Sequence, residues 1–323
     1  MRQRGYLLAA LTALALLLAG WLALGEWYRA GPLVKDIAFL VPDGSSLASI
    51  ADRLEKEGAV RSAAGFRLRA RLLAGGAPVK AGEFLLPKGA SSARILAILR
   101  GDEVIRRLIT IPEGMPSVMV RDRLMANPQL VGDMAVPVEG SILPDSYDFR
   151  RGEKREDIVR RMQAAMQRTL AELWAKRASG IAVKTPAEAI VLAAIVEKET
   201  GKPSERRLVA GLYSNRLRKG MLLQADPTII YPITAGKPLG RRIRQSEIQA
   251  VNGYNTYTMV GLPKGPITNP GRASIAAVLN PAKTDALYMV ADGSGGHAFA
   301  ATLEQHNANV EKWFAIRRAR GEI

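Results

Sequence analysis

Two glutamates end an apolar run in the segment VLAAIVEKETG, residues 191–201. If this run is a helix, Glu199 shares a stripe with Leu192 and Ile195, so its carboxyl leaves from a bulky apolar face. Its place in the last turn also puts it near the negative end of the helix dipole. Both effects disfavour the carboxylate, so we expect a raised pKa, as a general acid at neutral pH requires.

A structural explanation of the two carboxyls stays open. Glu197 follows a stripe of smaller side chains than Glu199 does. Both glutamates could be solvated at an emerging helix end, or ion-paired with Arg206 or Arg207. The types and spacing of these residues therefore do not by themselves separate catalysis from packing.

Strong start and stop signals bound the helix that must carry Glu199. Thr185, Pro186 and Glu188 predict an N-cap, a first helical residue and a capping box. Gly201, with a proline two residues later, predicts the end. Residues 189–196 are apolar on every side, which indicates a helix enclosed by the core.

The segment from residue 221 to 270 is long and rich in Pro, Gly, Tyr and Asn, and long loops of this kind tend to be functional. Its amides, tyrosines and single acid suit hydrogen bonding to the hydroxyl and N-acetyl groups of a sugar polymer, and tyrosine rings can stack on sugars. Each of these side chains could instead stabilise a turn. The candidates are Gln224, Asp226, Tyr254, Asn255, Tyr257 and Asn269.

Composition excludes several classes of enzyme. The 323-residue chain has no cysteine and only two histidines, His297 and His306, and it lacks the motifs of zinc proteases, serine hydrolases and nucleotide-binding proteins. We therefore expect no metal and no cofactor. Both histidines are interpreted as structural.

The N-terminus changes the meaning of the formal charge of +16. Arg2 and Arg4 precede an uncharged stretch, residues 5–25, that is long enough for a membrane-spanning helix with a cytoplasmic N-terminus. A cleaved signal peptide is the alternative. The folded part is exported in either case, so the excess of Lys and Arg is expected to face anionic lipid or an acidic wall polymer rather than nucleic acid, or else only to maintain solubility.

Three pieces of the chain repeat one pattern: VPDGSSLASIADRL from residue 41, LPKGASSARILAIL from 86 and IPEGMPSVMVRDRL from 111. Each predicts a strand, a glycine turn and a helix with one apolar stripe. The predicted fold is α+β: an N-terminal transmembrane helix (1–30), a small α+β module (36–110) and a larger mixed α+β domain (111–323).

Ordered motifs along the chain resemble the endolytic murein transglycosylase family, the YceG-like lytic transglycosylases. They are AAIVEKET, NRLRKGMLLQADPTIIY, YNTYTMVGLPKGPITNPG, SIAAVLNPAKTDALYMVADGSGGHAF and EQHNANV, with VEGSILPDSYDF matching a further family signature. The resemblance covers most of residues 36–318. It implies a single-span inner-membrane protein whose module 36–110 is LysM-like and whose domain 111–323 is catalytic and extracytoplasmic.

The resemblance also assigns roles to residues. Glu199 becomes the catalytic acid, Gln224, Asp226, Tyr254, Asn255 and Asn269 line a glycan cleft, and Glu139 and Asp145 support it; Tyr257 joins them from the residue pattern alone. Two departures, Ser141-Ile142-Leu143 in place of an aromatic-bearing stretch and Lys264 in place of a proline, put sugar stacking there in doubt.

The implied reaction cleaves the β-1,4 bond between N-acetylmuramic acid and N-acetylglucosamine in peptidoglycan without net addition of water. It leaves 1,6-anhydro ends. Penicillin-binding synthases are implied partners. Two alternatives stay open: a hydrolase that uses Asp226 or Glu197 as a second carboxylate, and a non-catalytic wall-binding scaffold.

Overall fold

The structure is a computed structural model that describes residues 11, 12, 14, 20, 24–75 and 78–323. Most of the predicted membrane span, residues 5–25, lies outside these residues. Among those described, no helix combines the length and the apolar character needed to cross a bilayer. The chain divides into two compact units between Arg107 and Leu108.

The first unit is a small α+β module. Its elements are β1 (Ile37–Val41), α1 (Leu47–Lys56), α2 (Ala63–Leu73), β2 (Gly82–Leu86) and α3 (Ser92–Arg100). β1 and β2 are antiparallel, and Phe39 lies opposite Phe84 at the centre of the pair. Both rings are fully buried with Phe66 and Trp27, so the helices pack on one face of a two-stranded sheet.

The second unit is larger and mixed. β3 (Arg107–Thr110) spans the boundary and pairs with β4 (Ser146–Phe149), while β5 (Tyr288–Ala291) and β6 (His297–Ala300) form an antiparallel hairpin. Its helices are α4 (Ser117–Met125), α5 (Arg155–Ala175), α6 (Pro186–Glu199), α7 (Arg206–Arg218), α8 (Asp226–Thr234), α9 (Gln245–Ile248), α10 (Arg272–Leu279) and α11 (Leu303–Ala319). The predicted α+β class is confirmed.

The three repeated pieces adopt one local structure. In each turn the backbone amide three residues after the proline donates to the proline carbonyl, and Gly44, Gly89 and Gly114 all have φ between 66° and 74°. Glycine adopts this left-handed conformation without strain. The predicted apolar stripes of the helices that follow are all buried: Ile50 and Leu54, Ile95 and Leu99, Val120 and Leu124.

α6 is the central helix of the second unit. Residues 189–196 are buried without a break, and the helix packs against α5, α7, α8 and α10. Each fully buried Leu, Ile or Val side chain contributes about 1.5–3 kcal/mol relative to exposure. The predicted enclosed helix is therefore confirmed, and it fixes the residues of its last turn in place.

The ends of α6 match the prediction with one difference. The Thr185 side chain accepts a hydrogen bond from the Glu188 amide at 3.1 Å, as expected. The Glu188 carboxylate, however, accepts from the Lys184 amide at 2.5 Å and not from that of Thr185, so the reciprocal bond reaches one residue further back. The helix ends at Glu199, because Thr200 is extended.

Two parts of the second unit differ from the prediction. The segment 221–270 contains α8 and the single-turn α9, whereas few regular elements were expected there. α8 begins with Pro227 in its first turn and carries Pro232 inside, so its helical signal is weak in the sequence. The sequence also predicts a strand over residues 286–291; the observed strand, β5, starts at Tyr288 and pairs with β6, which was not predicted.

Candidate active site

Glu199 ends α6 with one of its two carboxyl oxygens enclosed. The residue is partly exposed, but its Oε1 atom is buried and accepts no hydrogen bond from any described residue. Burial, reinforced by the negative charge of Asp226, raises the pKa of Glu199 to about 7. The carboxyl is therefore about half protonated at neutral pH.

Two groups on α7 act in the opposite direction. The fully buried Tyr213 hydroxyl and the positive charge of Arg216 both lower the pKa of Glu199, without overcoming its burial. Arg216 is itself buried, and it donates to the carbonyl oxygens of Leu287 at 2.6 Å and Leu223 at 2.8 Å. These bonds fix a cation where it stabilises the ionised form of Glu199.

Asp226 is the second acid of this group. It begins α8, its side chain is exposed, and its Oδ1 accepts a hydrogen bond from the Tyr257 hydroxyl at 2.6 Å. Burial, Asp226 and Glu199 together raise the pKa of Tyr257, so its hydroxyl stays protonated and able to donate. Glu199 on α6, Asp226 on α8 and Tyr257 in the loop after α9 are thus brought together.

Gln224 lies beside Asp226 in a strained backbone conformation. It has φ +50°, which is uncommon for a residue other than glycine, and its side chain is exposed. Buried threonines hold this segment: Thr256 Oγ1 accepts from the Ala225 amide at 3.0 Å and lies 2.9 Å from Thr228 Oγ1. Such strain persists only where surrounding bonds enforce it.

Glu197 is committed to the fold. Its side chain is only 6% exposed, and it accepts a hydrogen bond at 2.9 Å from the Gly271 amide, which precedes α10. Arg206 lies 3.7 Å from Glu197 and 3.6 Å from Glu113, and burial raises the pKa of Glu113. The ion pair between Glu197 and Arg206 that the sequence left open is present.

A second polar cluster surrounds Glu139. This carboxylate accepts from the Ser117 amide at 2.9 Å, the Ser117 hydroxyl at 3.0 Å and the Asn269 amide group at 3.2 Å. Burial nevertheless raises the pKa of Glu139, while Ser117 and the Tyr231 hydroxyl lower it. Asn269 is fully buried and also accepts from the Ile142 amide at 3.0 Å, so it joins two loops.

Asn255 is also fully buried. Its amide group donates to the carbonyls of Ile248 at 2.9 Å and Ala250 at 2.7 Å, and its side-chain oxygen accepts from the Tyr257 amide at 3.0 Å. These bonds place Tyr257 opposite Asp226. Asn255 and Asn269 therefore shape the loops that carry other candidates, and a direct contact of either with a ligand stays a prediction.

Tyr254 lies between two side chains. Its ring centroid is 4.8 Å from that of Tyr231, and the Lys264 ammonium lies 5.0 Å from its ring centroid. Lys264 is the residue that departs from the family pattern. Its ammonium covers one face of the Tyr254 ring, which a proline at this position could not do through a charge. Stacking of a sugar on Tyr254 stays a prediction, and the sugar would share this ring with Lys264.

The candidate Asp145 and the two histidines have local partners. Asp145 is exposed, its side chain accepts from the Ser146 amide at 2.7 Å, and its charge helps burial to raise the pKa of Tyr147 to about 12. His297 lies 2.9 Å from the Glu205 carboxylate, and His306 stacks on Tyr288 at 5.2 Å between centroids. Within the described part of the chain, none of these three is among the groups that shift the pKa of Glu199.

Sequence reasoning missed Tyr213 and Arg216. The available signal was their spacing: on α7 they lie three residues apart, on the face that also carries Val209 and Leu212. A tyrosine and an arginine on an otherwise apolar stripe indicate buried polar groups that need a partner. In the described chain no three His, Asp or Glu side chains gather closely enough to hold a metal ion.

The arrangement provides one proton donor with a tuned pKa. Glu199 can give up a proton near neutral pH, and Arg216 can stabilise the carboxylate that remains. Asp226 and Tyr257 add an acceptor and a donor on the neighbouring elements. Such a set suits general acid and then general base chemistry on a polar substrate.

The profile of the YceG-like family matches residues 39–312 of this chain, which therefore belongs to that family. Among its relatives, the endolytic murein transglycosylase of Bacillus subtilis (strain 168) is 27% identical over 88% of both chains. The endolytic murein transglycosylase of Streptococcus pneumoniae serotype 2 (strain D39) is 28% identical over 85% of this chain, which spans 58% of that relative's length.

A solved structure has a similar fold. The crystal structure of a YceG-like protein from Listeria monocytogenes is 26% identical, covers 85% of this chain and 98% of its own, and superposes with a TM-score of 0.54. The family predicted from the motifs is confirmed. The expectation of a peptidoglycan-cleaving lyase is confirmed at the level of the family and of the relatives' names.

Proposed function

We propose that this chain is an endolytic lytic transglycosylase of peptidoglycan in which Glu199 serves as general acid and then as general base. The observation that carries the proposal is the carboxyl of Glu199, whose buried Oε1 has no hydrogen-bond partner among the described residues and whose pKa is raised to about 7. The names of the relatives supply the substrate class.

The reaction runs in two steps. Protonated Glu199 donates its proton to the glycosidic oxygen, the bond from that oxygen to C1 of N-acetylmuramic acid breaks, and the N-acetyl carbonyl oxygen bonds to C1. The C6 hydroxyl then attacks C1 and displaces the carbonyl oxygen, while the Glu199 carboxylate takes the hydroxyl proton. The product is a 1,6-anhydro sugar, no water is consumed, and the acid is regenerated.

Opposing influences on Glu199 suit both steps. Burial and Asp226 favour the protonated form before bond cleavage, and Arg216 and Tyr213 stabilise the carboxylate that cleavage produces. A general acid whose pKa lies near the working pH serves donation and recapture about equally. A single residue can therefore perform both transfers.

The test of the proposal is the variant Glu199→Gln. It keeps the shape of the side chain and removes the acidic proton, so cleavage of purified glycan strands is expected to fall by about 10²- to 10⁴-fold. Glu304→Gln, at an exposed position of α11, is the matched control and should keep full activity. Undiminished turnover by Glu199→Gln would refute the assignment.

Product ends decide between a lyase and a hydrolase. We expect anhydromuramic ends, detected by mass spectrometry as products that lack one water. Reducing ends would indicate a second carboxylate that activates water. Asp226 would then be the candidate, because Glu197 is held by Arg206 and Gly271.

We further propose that residues 1–30 anchor the chain in the cytoplasmic membrane, that residues 36–110 form a LysM-like module, and that the catalytic domain 111–323 acts on the extracytoplasmic side, beside penicillin-binding synthases. The uncharged stretch at residues 5–25 and the two arginines before it support the anchor. Membrane fractionation of the full chain tests it: release by salt or carbonate would contradict a membrane span.

A further inference from the structure

A pocket of about 420 Å³ adjoins the candidate active site within the second unit. Four prolines line it, at positions 112, 116, 227 and 238, and we call it the proline-lined pocket. Lys198, which precedes Glu199, and Pro227, which follows Asp226, are both part of its wall. The pocket therefore shares the last turn of α6 and the first turn of α8 with the proposed chemistry.

The wall of the pocket is aliphatic. Besides the prolines it is formed chiefly by Met115, Met119, Ile230 and Ile267, and none of its lining residues is aromatic. Sugar rings need hydrogen-bonding side chains for their hydroxyls and favour aromatic faces. This pocket instead suits methyl groups and short alkyl chains.

One positively charged side chain of this pocket has no ion-pair partner among the described residues. Lys198 is exposed and makes no ion pair with any residue that the structure describes. The other lysine of the wall, Lys237, is paired with Asp122 at 2.8 Å, and the carboxylate of Glu113 lies near Arg206. Lys198 is thus available to a carboxylate that enters from outside.

We propose that the proline-lined pocket binds the peptide stem carried by N-acetylmuramic acid. The stem is a short peptide that presents alanine methyl groups and free carboxylates, which match an aliphatic wall and a free lysine. In this arrangement Lys198 bonds a stem carboxylate while Glu199, the next residue, acts on the glycan. The inference rests on the proposed function for its substrate and adds a recognition site for the part of it that is not sugar.

Binding measurements on the full-length chain test this inference separately from catalysis. In the Glu199→Gln background, calorimetry compares a glycan fragment that carries stem peptides with the same fragment after amidase has removed them. Lys198→Glu should weaken binding of the peptide-bearing fragment by about five- to tenfold, which is the effect of losing one charge-assisted contact. Binding of the peptide-free fragment should not change.

Control variants make the result specific. Lys198→Arg keeps the charge and should retain most of the affinity, and Lys312→Glu makes the same charge reversal on exposed α11 and should change neither fragment's binding. Equal affinity of the unmodified pocket for both fragments would overturn the proposal. So would an equal loss of both affinities in Lys198→Glu, which would indicate a contact with sugar.

The two proposals fail in different ways. Cleavage of peptide-free strands by the wild-type chain, with anhydro ends, supports the lytic transglycosylase whatever Lys198 does. If the wild-type chain does not cleave these strands, the proposed function is refuted. Peptide-dependent binding by Lys198 would still stand on its own measurement.

Discussion

Glu197 and Glu199 lie two residues apart in the last turn of α6 and face different surroundings. Glu197 is almost completely buried, and Arg206 and the Gly271 amide offset its charge. Glu199 has a buried oxygen with no hydrogen-bond partner among the described residues and a pKa of about 7. Burial alone therefore does not identify a candidate catalytic acid, because the partners around each carboxyl decide how far its charge is compensated.

The comparison predicts opposite outcomes for the removal of each carboxyl. Glu197 stabilises the fold through its contacts, since it joins α6 to α7 through Arg206 and to the start of α10 through Gly271. Glu199 destabilises the fold when it is charged, since its desolvation is not fully compensated. The proposed role of Glu199 would exchange stability at this position for reactivity, as is usual where function requires an unfavourable group.

The largest effect on stability is expected for Glu197→Ala. Removing one partner of a buried ion pair leaves the other charge uncompensated, which typically costs about 3–5 kcal/mol. Because Arg206 keeps Glu113 at 3.6 Å, we expect the free energy of unfolding to fall towards the lower end of that range. Urea unfolding at pH 7, followed by circular dichroism, measures it.

A matched control is Glu188→Ala at the other end of α6. It removes a glutamate that is partly exposed and bonded to the Lys184 amide, so a loss of about 1 kcal/mol is expected. If Glu197→Ala were no more destabilising than this control, the division of roles within the last turn of α6 would be wrong.

The second prediction concerns the stability of Glu199→Gln as a function of pH. The folded-state pKa of about 7 lies above the ordinary value of 4.5, so the wild-type fold binds a proton more tightly than the unfolded chain does. Its stability therefore falls as pH rises from about 4.5 to about 7, and the loss is complete above that range. The glutamine side chain of the variant does not titrate. Between pH 4 and pH 8, the free energy of unfolding of the variant minus that of the wild type should therefore rise by about 3 kcal/mol.

Chemical denaturation at pH 4, 6 and 8 measures this difference. Glu304→Gln on exposed α11 serves as the control and should show the same pH dependence as the wild type. A constant difference between Glu199→Gln and wild type across the three pH values would show that the carboxyl of Glu199 is ordinary.

Sequence could predict Glu199 better than its surroundings. The apolar run, its caps and the stripe that carries Glu199 are local features of α6, so the spacing of residues was sufficient. The groups that shift the pKa of Glu199 lie on α7 and α8, and their distance from Glu199 depends on how these helices pack. Asn255 and Asn269 illustrate the limit, since their residue types do not reveal that the fold buries both side chains among hydrogen-bond partners of the protein itself.

The same limit explains the segment 221–270. Its Pro, Gly and Asn content predicted an irregular loop, but the Ala225 amide and the hydroxyls of Thr228 and Thr256 form a buried network that supports α8. Hydrogen bonds between residues about thirty positions apart leave no periodic signal in a sequence. The repeated glycine turns were predictable for the opposite reason, since each is determined by four consecutive residues.

The third prediction tests whether this hydrogen-bond network positions Gln224 and Asp226 beside Glu199. Thr256→Val removes the hydroxyl that accepts from the Ala225 amide and leaves that buried donor unsatisfied, at a cost of about 1–3 kcal/mol. Cleavage should fall more than stability alone explains, because Gln224 and Asp226 flank Ala225. Thr258→Val in the same loop is the control. Its partly buried hydroxyl donates only to the carbonyls of Asn255 at 3.2 Å and Ala250 at 3.4 Å, so a smaller loss of both properties is expected. Equal losses in the two variants would contradict a special role for Thr256.

The smallest effect is expected for Asp226→Asn, which leaves a side-chain oxygen to accept the Tyr257 hydroxyl and removes one negative charge. Asp226 raises the pKa of Glu199, so the variant's Glu199 should lose its proton at lower pH. Burial is the larger cause and remains, so this pKa should stay above the ordinary range of a glutamate. The alkaline limb of the pH profile of kcat/KM then moves to lower pH, and cleavage at pH 7 falls by roughly two- to fivefold.

Asp285→Asn, at an exposed position, is the control and should leave the pH profile unchanged. A loss of several orders of magnitude at every pH would instead assign Asp226 a direct chemical role, and Glu199 would no longer be the sole acid and base of the reaction.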